Sequence, residues 1–333
     1  MNDLEDIKNV IALVEPKSNL DWTKGFTMTI DEAEQIETPE FIIPNLIIQG
    51  HVVSIVAEPN GGKTTLMLHM AGRMSQAGYR VIYVNADVSA GDAKSMVTQA
   101  HLEGFELLLP DMKAGSGMAD VVAHLKKMNA EGGDFSGVVF IFDTLKKMVD
   151  VIQKSQAKDL YALLRGLSSK GMTIVLLAHT NKYKGTDGKP VFEGTGDLRS
   201  DVDELIYLIP QKHSDGSMTI STEPDKVRGK LEPMTFTITS DRVVIQEDQY
   251  IDVAAQNAFM KQYQEDLDVI EVINRVLHSG LCKQIEIRKA AKEQGVSDRV
   301  TRRVLKTYSD PYAYRQIWKS TVGMRNTYRY ERL

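Results

Sequence analysis

The segment Ala57-Glu58-Pro59-Asn60-Gly61-Gly62-Lys63-Thr64-Thr65 constrains this 333-residue chain more than any other, because of what flanks it. Before it runs VVSIVA (Val52–Ala57), a β-branched apolar stretch that predicts a buried strand. After it, a helix is expected from Lys63 to about Gln76, ended by Gly78. A strand that turns through paired glycines into a helix aims backbone N–H groups at a positive helix end, which makes an anion cradle. In such a loop the lysine, Lys63, reaches the β- and γ-phosphates of a nucleotide, and Thr64 sets its hydroxyl on a magnesium ion. Ala57 stands where the usual pattern has its first glycine, a position that does not itself touch phosphate. The expected ligands are ATP and Mg2+, held by Glu58, Asn60, Gly61, Gly62, Lys63, Thr64 and Thr65.

The alternation continues beyond the loop. VIYVNA (Val81–Ala86), VVFIFD (Val138–Asp143) and MTIVLLAH (Met172–His179) read as strands, with helices expected over Ala119–Asn129 and Asp159–Ser169. Strands that are apolar throughout and alternate with helices imply an α/β fold whose mainly parallel sheet is covered on both faces. Residues 205–245 instead alternate in short β-like runs around the turn signals DGS and SDR, so the sheet is expected to end in antiparallel strands. A short helix is expected at Ile30–Glu37, within a polar extension over 1–39. The sequence divides further into a nucleotide-binding domain over 40–247, a linker over 248–264 and a small domain over 265–333. One cysteine, Cys282, rules out an internal disulfide and makes thiolate metal sites improbable, so a reducing cytoplasm is expected. No apolar run approaches the ~20 residues of a membrane span, and no membrane partner is expected.

A phosphate loop needs a metal-side carboxylate at the end of a neighbouring strand. Asp143, closing VVFIFD, fits that role and joins Thr64 as the expected metal pair. Taken together, PEFIIPNLIIQGHVVSIVAEPNGGKTT, VIYVNADVSAGD, VVFIFDTL and IVLLAHTNK resemble the RecA-like ATPases over about residues 40–247. The likeness is to the hexameric replicative helicase branch typified by plasmid RepA and bacterial DnaB. The resemblance implies further roles. Asp87 stands where the family has a glutamate that polarises the attacking water, one methylene shorter. His179 stands where the family senses the γ-phosphate. The segment KYKGTDGKP (Lys182–Pro190) resembles the loop with which such rings grip single strands, and offers Lys182, Lys184, Lys189 and Tyr183. Lys226 and Arg228, in Lys226-Val227-Arg228-Gly229, match a Lys-x-Arg pair that reaches a neighbouring subunit's nucleotide, which implies a ring, expected as a hexamer.

Charge is distributed unevenly. From Lys283 to Leu333 there are 13 Lys/Arg against 5 Asp/Glu, a local +8, which leaves −13 on the other residues of a chain with net charge −5. A basic tail on an acidic body is expected when one module meets a polyanion. Residues 265–333 read as a winged helix. Helices are expected over Gln284–Gln294 and Asp298–Tyr308, the second with Arg299, Arg302, Arg303 and Lys306 exposed. Strands at Tyr314–Lys319 and Tyr328–Leu333 would form a wing, with Arg325 and Arg329 available to phosphate. The expectation is a DNA-translocating ATPase, with single-stranded DNA in the ring and duplex at the tail. Two alternatives stay open: an ATP-switched replication initiator or regulator without unwinding, and a signalling ATPase of the KaiC-like group with no DNA duty.

Overall fold

The computed structural model describes residues 21–34, 39–113, 116–148, 154–184, 190–192, 197–323 and 327–333. The chain divides into two units, Met1–Glu40 and Phe41–Leu333. In the first, α1 (Ile30–Glu34) is capped reciprocally. The Thr29 N–H donates to Glu32 Oε2 at 2.7 Å, and the Glu32 N–H donates to Thr29 Oγ1 at 3.2 Å. The rest of the expected Ile30–Glu37 helix lies outside the described residues.

The second unit is organised by a ten-stranded sheet. Its parallel half contains β3 (Val52–Ala57), β4 (Arg80–Asn85), β5 (Glu106–Leu108), β6 (Val138–Asp143), β7 (Thr173–Lys184) and β9 (Glu204–Lys212), ahead of which β1 (Phe41–Ile43) and β2 (Ile47–Ile48) form a small antiparallel pair. Across the sheet the order is β9-β3-β7-β6-β4-β5, every neighbour parallel. Beyond β9 the sheet turns antiparallel through β10 (Met218–Lys226), β11 (Thr235–Ile238) and β12 (Val244–Gln246), while β8 (Pro190–Phe192) pairs antiparallel with β7. All six residues of β3 are buried, which is why its sequence carries no polar alternation.

Helices cover both faces: α2 (Lys63–Gln76), α3 (Ala90–Glu103), α4 (Met118–Glu131), α5 (Lys154–Ser168) and the short α6 (Asp197–Asp201). One core packs Leu66, Met67, Met70 and Met74 of α2 against Val53, Ile55, Tyr83 and Ile141. The other packs Leu160, Leu164 and Leu167 of α5 against Val52, Val56, Phe142 and Leu176. Odd and even residues of β3 thus serve opposite cores, as a period of two requires. Helix α3 was not foreseen. Its apolar side is thin, only Ala93, Met96 and Ala100 being buried, and Ser89 caps it by accepting from the Asp92 N–H.

The expected linker over 248–264 gives way to α7 (Val253–His278), a single 26-residue helix. Asp252 caps its start by accepting the Ala255 N–H at 2.8 Å, and Asn257 donates to the Pro210 carbonyl of β9 at 3.1 Å. Anchoring by polar side chains leaves little apolar periodicity to read there. The second half of α7 packs with α8 (Gln284–Glu293), α9 (Asp298–Tyr308) and a ribbon of β13 (Trp318–Gly323) and β14 (Thr327–Arg332). Their core is Ile270, Ile273, Val276, Ile287, Val304, Leu305, Tyr308, Trp318 and Tyr330. The ribbon starts later than expected because Trp318 is its first core residue, fully buried with its indole N–H on Asn274 at 2.9 Å.

Candidate active site

Every strand of the parallel half ends on the same side, and the functional residues sit at those ends. At the end of β3, Asn60 and Gly62 take left-handed backbone angles (φ 58° and 81°), and Gly62 is the N-cap of α2. A Cβ on Gly61 would lie 2.9 Å from the Glu58 carbonyl, and one on Gly62 would lie 2.6 Å from Ile220 Cδ1. Gly61 is therefore dictated by backbone space, and Gly62 by its left-handed conformation.

Lys63 is buried and folded back across the loop. Its ammonium donates to the carbonyls of Ala57 (2.9 Å) and Glu58 (3.0 Å) and lies 3.2 Å from His179 Nδ1. Burial pulls this lysine down to about 8, against the opposing charges of Asp143 and Glu58. Register explains the His179 contact: β3 and β7 are neighbours, and Ala57 lies opposite His179. On the other side of β7, Asp143 closes β6 and is almost fully buried. Thr64 Oγ1 donates to Asp143 Oδ2 at 2.7 Å, and Tyr83 Oη donates to the same oxygen at 2.9 Å. Burial holds the Asp143 carboxyl above the usual range, although both hydrogen bonds and the charges of Lys63 and His179 pull the other way. Burial likewise pushes the Tyr83 hydroxyl well up, so it remains a donor.

Asp143 and Thr64 offer a buried carboxylate and an adjacent hydroxyl, hard oxygen donors of the kind Mg2+ takes. The donor set fits the metal. Asp87 follows β4, whose Asn85 lies opposite Asp143. Asn85 Oδ1 accepts the Asp87 N–H at 2.9 Å and fixes the turn, while the exposed Asp87 carboxylate lies 3.5 Å from Lys147. A cavity of about 540 Å3 joins these groups: Asn60, Gly61, Gly62, Lys63, Thr64, Thr65, Asp87, Asp143 and His179 all line it. Glu58 does not. It contributes its carbonyl to Lys63 and to the Gly61 N–H (3.1 Å), and its side chain is exposed.

The opposite wall was not legible beforehand. The turns after β9 and β11 bring Gly216, Met218, Ile238, Thr239, Ser240 and Arg242 to the cavity. They stand on the β9 side of β3, across the loop from Asp143 and Asp87. Only the antiparallel end of the sheet, whose exact pairing no motif announces, makes them neighbours of the loop. Tyr83 was also missed, although a hydroxyl within an otherwise apolar strand was a visible signal.

Other expected site residues lie elsewhere. Lys226 donates to the carbonyls of Ser200 (2.9 Å) and Val202 (2.7 Å) of its own chain. Arg228 is more than half exposed and pairs with Asp203 at 2.8 Å. Asp203 accepts the Val52 N–H, so Arg228 sits at the beginning of β3, five residues or ~17 Å from the phosphate loop at its end. Arg303 differs from its helix neighbours. Its guanidinium holds Asp266 through two bonds of 2.8 and 2.6 Å, and Tyr308 Oη donates to the same buried carboxylate at 3.0 Å. Its side chain is 44% exposed and at the same time supplies the cation that the buried Asp266 carboxylate needs. Arg299, Arg302 and Lys306 are exposed on α9. Lys182 and Lys184 fall on the outer end of β7, with their side chains outside the described residues, as are residues 185–189 and Arg325.

These features define the class: an α/β core with a P-loop nucleotide site, in which β7 stands between the phosphate-loop strand and the Asp143 strand. A family model for an AAA domain matches residues 24–185. No curated protein matches the sequence. Among solved structures, the flagellar accessory protein FlaH from Methanocaldococcus jannaschii is similar at 18% identity, over 61% of this chain and 92% of that one, with a TM-score of 0.43. Among the described residues no helix is long and apolar enough to cross a membrane.

Proposed function

We propose that the protein hydrolyses ATP between subunits of a ring and uses the cycle to move along DNA. The observation that carries this reading is β7. One strand holds His179 at the Lys63 ammonium and runs on unbroken to Lys184, so the nucleotide site and the basic hairpin share a backbone. Hydrolysis that changes the partners of Lys63 and His179 is transmitted along a strand pinned in the sheet.

In the bound state Lys63 exchanges its carbonyl partners for phosphate oxygens, and the loop amides surround the β-phosphate. Thr64 and Asp143 would hold Mg2+, which supplies charge neutralisation for the phosphates. Asp87 takes the proton of the attacking water as the water oxygen bonds to the γ-phosphorus and the bond to the β,γ-bridging oxygen breaks, leaving ADP. The wall of Met218, Ile238 and Arg242 receives the nucleoside end. Arg228, too far from its own pocket, serves a neighbouring copy. The C-terminal helices and ribbon act as a winged helix, with Arg299, Arg302 and Lys306 contacting duplex phosphates.

A second reading is an ATP-switched DNA-binding assembly that turns over slowly. It is favoured by Asp87, which is shorter than glutamate and already paired with Lys147. Steady-state ATP hydrolysis with and without single-stranded DNA, against Lys63→Ala, separates the two. Strong stimulation that the variant abolishes supports the motor. Turnover at the level of Lys63→Ala, despite nucleotide binding, refutes it in favour of the switch.

A further inference from the structure

The carboxylate of Asp203 accepts from three residues at the beginning of β3. It is buried and receives the Val52 N–H on Oδ2 at 2.9 Å, with the Asp203 N–H returning to the Val52 carbonyl at 2.8 Å. Arg165, from α5, donates through Nη1 to Oδ1 (2.8 Å) and Oδ2 (2.7 Å), and its Nη2 donates to the Asp201 carbonyl at 2.5 Å. Arg228 adds a fourth contact, Nη1 on Oδ1 at 2.8 Å. Burial alone would raise this carboxyl, but the bonds from Arg165 and Val52 and the two arginine charges hold it below its ordinary value.

The two arginines are not equivalent. Arg165 is 35% exposed and pinned at both ends, whereas Arg228 is 57% exposed and makes a single contact with the carboxylate. Without Arg228, Asp203 keeps one full counter-charge and three of its four bonds, so nothing buried is left unpaired. Arg228 is the spare cation. The backbone before it is held in the sheet: Lys226 ends β10 opposite Leu205, with its side chain bonded to the Ser200 and Val202 carbonyls. Arg228 itself lies in a bend just past the strand.

We infer that Asp203 is a resting dock for Arg228, and that Arg165 keeps the dock neutral when Arg228 leaves it for the nucleotide of a neighbouring copy. Assembly then exchanges an intrachain ion pair for one between subunits, and Asp203 sets how readily an isolated subunit gives up its arginine. The inference rests on the proposal that Arg228 acts in trans.

Two substitutions in the full chain shift this exchange in opposite directions. Asp203→Asn keeps an acceptor for Val52 but releases Arg228. The protein concentration giving half-maximal ATPase activity should fall about fivefold, the worth of a partly exposed pair. Arg165→Gln leaves Arg228 as the sole counter-charge and should raise that concentration by a similar factor, with Arg165→Lys restoring it. A purely structural Asp203–Arg165 pair would make both variants melt earlier and move both concentrations the same way, which would overturn the dock. So would no shift in either. Should Asp203→Asn not fold, the Arg165→Gln and Arg165→Lys pair decides alone. The underlying reading is tested separately by mixing Lys63→Ala with Arg228→Ala subunits. Recovered hydrolysis means that Arg228 acts in trans, and its absence overturns that reading and the dock with it.

Discussion

Lys63 offers the sharpest test of the site because its resting state is chemically unusual. A buried ammonium with two carbonyls and an imidazole for partners takes its proton weakly, with an ionisation near pH 8. Only the charged form attracts phosphate, so nucleotide binding must bring the proton with it. For a ligand that selects the protonated form, apparent Kd scales as one plus the ratio of neutral to charged lysine. With an ionisation at 8, that factor is about 1.3 at pH 7.5 and about 33 at pH 9.5, a weakening of about 25-fold or ~1.9 kcal/mol. Titrating a non-hydrolysable ATP analogue by anisotropy at constant ionic strength reads this directly. Lys63→Arg, which keeps its charge throughout, should give a flat profile. The stability of the empty protein follows the opposite sign. Between about 8 and the ordinary 10.5 the unfolded chain binds the proton more tightly than the folded one, so stability rises with pH there and Lys63→Met removes the rise. A wild-type Kd that changes less than twofold across pH 7.5–9.5 would refute the reasoning.

Asp143→Asn should lower ATP hydrolysis about 10²–10³-fold in single-turnover assays while metal-free nucleotide binding changes little. It should also raise the melting temperature of the empty protein at neutral pH, since burial holds this carboxyl above its ordinary range and ionising it opposes folding. Asp266→Ala strips Arg303 and the Tyr308 hydroxyl of their shared partner; with Arg303 half exposed, about 2–3 kcal/mol of stability should be lost in urea denaturation, and a loss under 0.5 would make the pair decorative. If the tail binds duplex, Arg302→Ala and Lys306→Ala should each reduce the slope of log affinity against log salt by about 1, uniformly across sequences.

How much of this was legible follows from which interactions are local. The phosphate loop, α2 and the strands VVFIFD and VIYVNA stand within two residues of where the sequence puts them, because strand burial and the strand–turn–helix junction are written in adjacent residues. Asp143 and Thr64 could be paired in advance because each closes or opens an element. The hairpin wall could not, since Met218 and Arg242 reach the loop only through the register of antiparallel strands distant in sequence. The second role of Arg303 was hidden for a related reason. On the helix it is one of several arginines, and only the position of Asp266, 37 residues earlier on α7, singles it out. The first half of α7 was hidden because its attachment to β9 is a hydrogen bond rather than an apolar stripe.

The polarity of the sheet has a consequence for assembly. All parallel strands end on the side of the sheet where the nucleotide cavity lies, whereas β10 runs the other way and delivers Lys226 and Arg228 to the opposite end. A chain built so cannot bring its own Arg228 to its own phosphates without breaking β10 from β9, the antiparallel pair that also supports the cavity wall. If Arg228 serves a nucleotide, two copies must meet with the Arg228 end of one against the cavity end of the next. Made in one direction only, such a contact joins unlike surfaces, and repeating it closes a ring or extends a filament. A two-fold dimer buries the same surface on both partners and would need the cavity and Arg228 on a single face. The separation of ~17 Å along β3 is within the span of an ordinary interface patch, so the oligomeric state in solution distinguishes the two arrangements. The strand order that places Lys63 beside His179 thus also keeps Arg228 away from the phosphate loop of its own chain.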